Sequence, residues 1–456
     1  MDLHGKIDRP NVILINCDDL GYGDLGCYGS TVNRTPTLDF MAENGLRLTD
    51  FYMASPICSP SRGGMLTGCY PPRIGFGDFD GHGVLFPGQG IGLNRNETTI
   101  ASMLKISGYR TKIVGKWHCG DQPEFLPTKH GFDEYYGLPY SNDMGRQVTV
   151  EHNPPLPLLC NETVIQQQPD LNSLTERYVE QCTDFIRRSK DESFFLYLAH
   201  MHVHLPLYVA ERFAKESRNG NYGACVECID WATSCILHQL RESGIENNTL
   251  IIFTSDNGSR GDNGGSNYPL RGRKGTTWEG GIRLPCIMYW PGTIKPGRIS
   301  NQILSAIDFL PTLANICEAN LGPNVIDGVD FSALLTNSDA PSVRNQFFYY
   351  LRNDLEAVRE GDWKLHVRKS DEQVGFLFNL QEDIGEECNL YDENPDVVER
   401  LEMLLEECRV ELGDAALEVC GRGNRPKGRV ENPKPLTAYD EDHPYIVAMY
   451  DRAEVG

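Results

Sequence analysis

Cys58 is the residue whose type and setting first suggest chemistry. It lies in residues 55–64, which read SPICSPSRGG. Ser59 is a favourable N-cap and Pro60 suits the first helical position, so we expect Cys58 to stand at the N-terminal end of a helix. The N–H groups there and the guanidinium of Arg62 favour an anion and would lower the pKa of the Cys58 thiol. A buried cysteine before an ordinary capped helix is the alternative on these residues alone.

Two pairs of polar side chains follow two apolar stretches of the chain. Residues 11–16, NVILIN, and residues 249–254, TLIIFT, predict strands buried in a parallel sheet. The pairs that follow them are Asp18 with Asp19, and Asp256 with Asn257. Open α/β sheets bind ligands at the carboxyl ends of their strands, and Ca²⁺ or Mg²⁺ prefers oxygen ligands. Either pair alone is more typical of a turn, but together they predict a metal site.

Further segments resemble the signatures of one enzyme family, in the family's order. Residues 58–62, CSPSR, resemble the signature of the type I sulfatases, in which the cysteine is oxidised to formylglycine after translation. Three later segments resemble its other signatures: GKWH at 115–118, HVHLP at 202–206 and KGTTWEGG at 274–281. Residues 137–143, GLPYSND, resemble the branch that holds arylsulfatase A and N-acetylgalactosamine-6-sulfatase. The resemblance covers most of the chain and implies a sulfuric ester hydrolase.

The resemblance also implies two groups that the gene does not encode: a divalent cation, Ca²⁺ or else Mg²⁺, and a formylglycine made from Cys58. The implied metal ligands are Asp18, Asp19, Cys58, Asp256 and Asn257. A formylglycine hydrate carries two hydroxyls on one carbon, of which one attacks sulfur and the other, once deprotonated, expels sulfate. The cation would polarise the sulfate, and Asp256 would take the proton of the attacking hydroxyl.

Five cationic or imidazole side chains receive roles from the same resemblance. Arg62 and Lys116 would stabilise the hydrate and the sulfate oxygens. His118 would be the base that starts sulfate elimination. His204 and Lys274 would bind the sulfate and protonate the leaving oxygen.

Several of these residues have a plainer interpretation. An isolated lysine is normally a solvated surface charge. His200, His202 and His204 alternate and could share one face of a zinc site, but only His204 falls on a family position. Ser141 matches a serine that hydrogen-bonds the sulfate or the hydrate in the arylsulfatase A branch. The CxxC at residues 225–228 lies in a predicted helix and is attributed to helix packing.

Two other functions compete with hydrolysis of a sulfate monoester on a sulfated carbohydrate, such as a glycosaminoglycan-type amino sugar. Related enzymes with the same cysteine motif cleave phosphonate monoesters or phosphodiesters, although the lysine and histidine segments favour sulfate. A non-catalytic protein that binds sulfated glycans would result if Cys58 stayed unconverted. The expected partners are a sulfated small molecule or saccharide and a formylglycine-generating or radical-type sulfatase-maturating enzyme, with a homo-oligomer as a further option.

Composition limits the partners and the location. The 456 residues include 42 basic and 64 acidic side chains, a net charge of −22. Such a protein repels nucleic acid and anionic membranes, so neither is expected as a partner, and a small or terminal sulfated group is favoured over a long polyanion. The polar start, residues 1–10, lacks the apolar segment of a signal peptide, and no run approaches the ~20 apolar residues of a membrane span. Fifteen cysteines, an odd number, do not fit a disulfide scaffold, and a cytoplasmic location is expected.

Apolar strands alternate with helical stretches over residues 1–335, the predicted catalytic domain. This alternation predicts a mostly parallel central sheet flanked by helices, and the resemblance implies an alkaline-phosphatase-like α/β fold. Further predicted elements are strands 112–114, 194–199 and 285–290, and helices 98–107, 174–189 and 222–243. Residues 75–96 and 144–170 are predicted to be irregular loops outside the core, where substrate specificity would lie.

A composition change near residues 337–341 predicts a boundary. Residues 336–412 are predicted to form a smaller C-terminal α+β subdomain, an antiparallel sheet plus a helix. Its predicted elements are strands 346–351, 355–359, 364–367 and 376–379, and helix 396–412. Residues 413–456 are predicted to be a C-terminal extension that docks near the pocket of its own or a partner subunit, because the extension is too apolar for a disordered tail.

Overall fold

The computed structural model describes residues 9–147 and 150–445. The helices are α1 (Pro36–Glu43), α2 (Cys58–Thr67), α3 (Ile100–Ile106), α4 (Leu174–Ser189), α5 (Glu211–Ala214), α6 (Gly220–Glu242), α7 (Glu279–Ile282), α8 (Phe309–Ile316), α9 (Ser332–Thr336) and α10 (Pro395–Leu412). The strands are β1 (Asn11–Cys17), β2 (Leu46–Tyr52), β3 (Ile91–Gly92), β4 (Arg110–Gly115), β5 (Glu134–Gly137), β6 (Pro157–Cys160), β7 (Thr163–Gln167), β8 (Phe194–Ala199), β9 (Thr249–Ser255), β10 (Arg283–Tyr289), β11 (Arg298–Ser300), β12 (Leu304–Ser305), β13 (Gln346–Leu351), β14 (Asp354–Glu360), β15 (Trp363–Lys369), β16 (Glu372–Asn379), β17 (Gly413–Asp414), β18 (Val419–Cys420) and β19 (Gly428–Arg429).

The largest sheet has the strand order β11-β2-β10-β9-β1-β8-β4-β5-β6-β7, and β12 pairs with β2 beyond β11. Its centre, β9-β1-β8-β4-β5, is parallel throughout. Strand β10 runs antiparallel to β9 and β2, and the β6–β7 hairpin joins β5 antiparallel. The predicted mostly parallel sheet is thereby confirmed, and the carboxyl ends of five neighbouring strands meet at one edge.

Burial on both faces explains why the central strands are continuously apolar. Along β1, Val12 and Leu14 face one core, whereas Ile13 and Ile15 face another. The first core includes side chains of α3 and α8, and the second includes side chains of α4 and α6. The helices therefore cover the sheet on both sides, as the alternation of elements predicts.

A second sheet follows in the chain and is antiparallel, with the order β13-β14-β15-β16. Helix α10 packs against it through Leu401 and Leu405, which share a core with Tyr349 and Leu355. The predicted antiparallel sheet with one packed helix is therefore confirmed. The domain boundaries at residues 335 and 412 stay predictions.

Two predicted loops differ from expectation. Phe76, Phe79 and Leu93 are fully buried in the main core, so residues 75–96 are not excluded from it. Their aromatic side chains achieve this burial without a regular element, which is why periodicity gave no signal. Residues 144–170 contain the β6–β7 hairpin, which extends the large sheet.

The described part of the C-terminal extension returns to the body of its own chain. Strand β19 pairs with β3, so the extension lies against the 75–96 loop. The hydroxyl of Thr437 donates to the carbonyl of Pro155, and Arg146 stacks over the ring of Tyr439 at 3.7 Å. Three apolar residues of the predicted docking segment, Ile446, Val447 and Tyr450, lie outside the described residues. Among the described helices, none is both long and apolar enough to cross a membrane.

Candidate active site

Most of the predicted site residues lie just after the carboxyl ends of the five parallel strands. These residues are Asp256 and Asn257 after β9, Asp18 and Asp19 after β1, His204 after β8, Lys116 and His118 after β4, and Ser141 after β5. All of them are buried. Asp19 and His118 adopt left-handed backbone conformations, with φ of 61° and 58°. Such strain in non-glycine residues concentrates at functional sites.

Helix α2 brings Cys58 and Arg62 to this edge. The helix begins at Cys58 itself, so its N-cap is Ile57, two residues before the predicted N-cap Ser59, and Ser59 Oγ instead accepts a hydrogen bond from the Leu85 N–H. Cys58 is 1% exposed. Burial raises the pKa of its thiol well above the ordinary value, although the charges of Lys116 and Lys274 act to lower it. The predicted lowering of this pKa is therefore wrong, because desolvation outweighs the nearby cations.

Each predicted carboxylate ligand is paired with a cation that was predicted separately. The pairs are Asp18 Oδ2 with Lys116 Nζ at 2.5 Å, Asp256 Oδ2 with Arg62 Nη2 at 2.7 Å, and Asp19 Oδ2 with Lys274 Nζ at 2.9 Å. Buried charges occur in proteins when they are compensated in this way. The site is thus a compact cluster of alternating charges.

The two deepest carboxyl groups have opposite pKa shifts. Burial acts to raise the pKa of Asp18, but the charges of Lys116, His204 and Arg62 hold it well below its usual range. Burial and the charge of Asp18 raise the pKa of Asp256 to about 7, with Arg62 acting in the other direction. Of these two carboxyl groups, Asp256 is thus the one whose burial is less fully compensated by positive charge.

The atoms around Cys58 can hold a metal ion. Ligand atoms of Asp18, Asp19, Cys58 and His204 all lie within 4.8 Å of one another. Cys58 Sγ is 3.5 Å from Asp18 Oδ1. Asn257 Nδ2 donates to Asp19 Oδ1 at 2.7 Å, and the buried Asn257 Oδ1 has no hydrogen-bond partner among the described residues. The structure therefore brings the predicted ligands Asp18, Asp19 and Cys58 together with His204, whereas Asp256 is not part of this group, and it leaves one amide oxygen of Asn257 available.

The remaining predicted residues surround the same centre. Ser141 Oγ lies 3.3 Å from Lys116 Nζ and 3.3 Å from His204 Nδ1. His118 Nε2 lies 3.0 Å from the Leu85 carbonyl, and its buried Nδ1 has no hydrogen-bond partner within the described chain. Burial and the charge of Lys116 lower the pKa of His118 well below its usual value. His118 is therefore a neutral imidazole with one unused nitrogen.

The other histidines and cysteines of the sequence analysis lie outside this cluster. Burial lowers the pKa of His200 to about 3 and that of His202 to about 4, and neither joins the group of potential ligands found in the described residues. Cys225 and Cys228 are buried in the core beneath α6, as the packing interpretation predicts.

Sequence reasoning missed two neighbours of the site. The Leu85 carbonyl orients His118, and a backbone group leaves no mark in residue types. Asp143 Oδ1 lies 4.0 Å from His204 Nδ1, and its place in the 137–143 segment was the available signal. Beside the cluster, a cleft of about 330 Å³ is lined by Ile57, Arg260, Arg273, Lys274 and Gly275.

Comparison with known sequences shows which proteins this chain is similar to. The sulfatase family model matches residues 10–318, and the model of the N-sulphoglucosamine sulphohydrolase C-terminal region matches residues 273–411. The chain is 38% identical to arylsulfatase A of Bos taurus, with 87% of each chain covered. It is 40% identical to N-acetylgalactosamine-6-sulfatase of Rattus norvegicus, with 80% of this chain and 72% of the relative covered.

Solved structures show the same fold. Ps i-CgsB in complex with k-i-k-neocarrahexaose superposes with a TM-score of 0.78 at 29% identity, covering 88% of this chain and 92% of that one. The phosphonate monoester hydrolase of Agrobacterium radiobacter shares the fold at a TM-score of 0.63 and 18% identity, with 87% and 95% covered. The family model and the two relatives identify the chain as a member of the sulfatase family, a hydrolase of sulfate esters.

Proposed function

We propose that this sulfatase removes sulfate from a monoester on a sulfated saccharide, with a formylglycine derived from Cys58 and a bound Ca²⁺ ion. The observation that carries the proposal is the position of Cys58 Sγ, 3.5 Å from Asp18 Oδ1 within the cluster of paired charges. Arg62, Lys116 and Lys274 supply the positive charge that an acidic protein needs to capture a sulfate.

The donor set fits a hard divalent cation. Asp18, Asp19, Asp256 and Asn257 offer three carboxylates and one amide oxygen, and Asn257 Oδ1 is buried without a partner within the described residues. Oxygen ligands of this kind suit Ca²⁺, with Mg²⁺ as the alternative. When bound, the ion would withdraw electron density from the sulfate oxygens. The residue at position 58 lies next to these ligands and would complete the set.

The site also fits the modification of Cys58. A formylglycine hydrate would supply a hydroxyl nucleophile and a means of releasing sulfate afterwards. Because Cys58 is 1% exposed, we propose that a formylglycine-generating or radical-type maturating enzyme acts on the segment before it is buried. The raised pKa of the thiol supports the view that an unmodified Cys58 thiolate is not the nucleophile.

The chain's own residues would orient the sulfate and move protons. The charges of Arg62 and Lys116 act on the position of Cys58, and both side chains would hold the sulfate oxygens. His118 Nδ1, which is buried and unpartnered within the described chain, would accept the proton that starts sulfate release.

Lys274 Nζ and His204 would contact the ester oxygen, and Lys274 retains its proton because Asp19 raises its pKa against the effect of burial. Ser141 would donate its hydroxyl beside Lys116.

The substrate class rests on the relatives. One relative is named N-acetylgalactosamine-6-sulfatase, and one structural neighbour was solved with a neocarrahexaose. These names support a sulfated sugar. A steryl-sulfatase of Rattus norvegicus, 36% identical with 79% of this chain and 76% of the relative covered, makes a sulfated sterol the compound to test against it.

Two measurements test the proposal. The first is sulfate release from defined sulfated saccharides, an aryl sulfate, a steryl sulfate and an aryl phosphonate. Turnover of the saccharides is expected to exceed that of the others, and faster phosphonate cleavage would contradict the assignment. The second is the mass of the tryptic peptide that contains residue 58, taken from protein of the native host. A plain thiol there would rule out the formylglycine mechanism and favour a protein that only binds sulfated glycans.

We also propose a cytoplasmic location, supported by the cysteine pattern of the sequence. A homo-oligomer is proposed only as a state to be measured, by light scattering of the full chain.

A further inference from the structure

The cleft beside Lys274 has an unusual concentration of positive charge for this protein. Arg260, Arg273 and Lys274 are three of its five lining residues, whereas the whole chain has a net charge of −22. We propose that Arg260 and Arg273 form a second oxyanion subsite, which recognises another sulfate or a carboxylate on the same saccharide. The inference rests on the proposed function and adds that the substrate carries at least two negative groups.

The cleft adjoins the proposed sulfate site. Ile57 lines the cleft and directly precedes Cys58. Lys274 also lines it, and its Nζ lies 2.9 Å from Asp19 Oδ2 within the charge cluster. A sugar whose sulfate reaches residue 58 can therefore extend into this cleft, and its next substituents would meet the two arginines.

The backbone holds the walls of the cleft in place. The Lys274 N–H donates to the Ser259 carbonyl at 3.0 Å, which fixes Arg260 beside the lysine loop. The Gly275 N–H donates to the Pro56 carbonyl at 2.9 Å, which fixes the same loop against Ile57. A site held by such bonds needs little rearrangement when a ligand binds.

Gly275 lines the cleft next to open space. It has a φ of +78°, and no atom of the described residues lies within 4 Å of the position that a Cβ would occupy there. Glycine suits this left-handed backbone, and the space beside it is open to a bound sugar.

Arg273 is less committed to other groups than Lys274. Lys274 is held by Asp19, whereas Arg273 is exposed and has no side-chain hydrogen bond or ion pair within the described residues. Arg260 lies 3.4 Å from Asp262, but the two side chains are 34% and 44% exposed, so water screens their attraction. A planar guanidinium binds sulfate or carboxylate oxygens in pairs, so both sources of the second charge fit.

The experiment measures binding, so that it does not depend on conversion of Cys58. Full-length Cys58→Ala protein is titrated with three ligands: a monosulfated amino sugar, the same sugar with a second sulfate, and the same sugar linked to a uronate. The doubly charged ligands are expected to bind roughly 10-fold more tightly than the monosulfated one, as one or two charge-assisted bonds would give. The better of the two doubly charged ligands identifies sulfate or carboxylate as the second group.

Variants locate the effect. Arg273→Ala or Arg260→Ala, added to Cys58→Ala, is expected to reduce the preference to about 2-fold or less, with affinity for the monosulfated sugar unchanged. Arg187→Ala is the matched control, because this exposed arginine ends α4 and lies near the amino end of β8, at the opposite edge of the sheet. It removes the same charge and should leave the preference at about 10-fold.

Two outcomes would overturn the subsite. One is equal affinity of the parent protein for the singly and doubly charged ligands. The other is a preference for the doubly charged ligands that survives each of the two arginine changes. Sulfate release by the converted wild-type enzyme is scored separately, so failure of the proposed function appears there and failure of the subsite appears in the binding ratio.

Discussion

Lys274 Nζ donates a hydrogen bond to Asp19 Oδ2 at 2.9 Å, so a proposed sulfate-binding cation is tied directly to a proposed metal ligand. The loop that carries Lys274 is itself held by the antiparallel sheet. Lys364 Nζ donates to the Thr277 carbonyl at 2.9 Å, and Lys369 Nζ donates to Thr277 Oγ1 at 2.7 Å. The C-terminal sheet therefore contacts the chain three residues after Lys274 and supports the loop that carries it.

Replacement of Lys364 by methionine tests this connection. Lys364 Nζ lies 2.8 Å from both Glu279 Oε1 and Glu386 Oε1, and all three side chains are fully buried. Loss of the cation removes the counter-charge that the two carboxylates share, although Arg283 stays 3.3 Å from Glu279 Oε2, so Lys364→Met should lower the free energy of unfolding by about 3–5 kcal/mol. Because the Thr277 contact is also lost, kcat at temperatures where the variant is folded should fall about 10-fold or more.

Denaturant unfolding and kcat are measured on the same preparation. Arg400→Met is the control, since Arg400 pairs with Glu360 at 2.7 Å on the same subdomain while 46% exposed. Its effect on stability should stay under about 1 kcal/mol, with kcat unchanged. A destabilised Lys364→Met protein with full kcat would show that the sheet supports the fold but not the lysine.

The sequence predicted the long helices and strands better than the segments between them and the environments of individual side chains. Helix α4 and strand β8 have the predicted bounds, because a strong amphipathic period and a continuous apolar run are local properties. The β6–β7 hairpin was missed, since prolines and glutamines around it are typical of a loop. The pKa of Cys58 was predicted in the wrong direction because its desolvation depends on the whole fold, not on the neighbouring residues in the chain.

Removal of the metal should lower both activity and stability. We expect about one Ca²⁺ ion per chain by elemental analysis, and a chelator should abolish sulfate release. A ligand that binds only the folded state stabilises it by about 2.7 kcal/mol at 100 times its Kd, so the Tm should rise with added Ca²⁺. Asn257→Ala removes the unpartnered oxygen and should weaken Ca²⁺ binding by about 10-fold or more.

Asp339→Asn is the control for this series, because Asp339 is exposed and far along the chain from the predicted ligands. It should bind Ca²⁺ and respond to the chelator as the wild type does. Full Ca²⁺ binding by Asn257→Ala would remove Asn257 from the ligand set.

The C-terminal extension should be needed for catalysis through the loop it covers. Arg425 binds Glu97 at 2.8 Å, and the Val430 N–H donates to the Gly90 carbonyl at 3.0 Å. The same loop places the Leu85 carbonyl 3.0 Å from His118 Nε2. Deletion of residues 425–456 should therefore loosen His118 and reduce kcat about 10- to 100-fold.

A single change inside the extension serves as the control for the deletion. Arg429→Gln breaks the pair with Asp80, in which both side chains are 55% exposed, and should leave kcat within about 2-fold of the wild type. Unchanged kcat in the deleted protein would separate the extension from the active site.

The pH dependence of stability should reveal a buried carboxyl group that is not among the predicted site residues. Asp230 of α6 accepts the N–H groups of Thr37 and Leu38 at 3.2 and 2.9 Å, and so caps the N-terminus of α1. Burial raises its pKa from 3.8 to about 6, although the hydrogen bonds at Leu38 and Thr37 act to lower it. Between these two pH values the folded chain holds a proton that the unfolded chain has lost.

This difference fixes the sign of the effect. Where the folded state binds more protons, stability falls as the pH rises, so Asp230 should progressively destabilise the fold between about pH 4 and pH 6. A shift of this size corresponds to about 2–3 kcal/mol. Asp230→Asn keeps a cap acceptor but cannot titrate, so its free energy of unfolding relative to the wild type should rise across this window and stay level above it. Urea unfolding of both proteins at half-unit pH steps measures the difference, and a constant difference from pH 4 to pH 7 would mean that the Asp230 pKa is not raised.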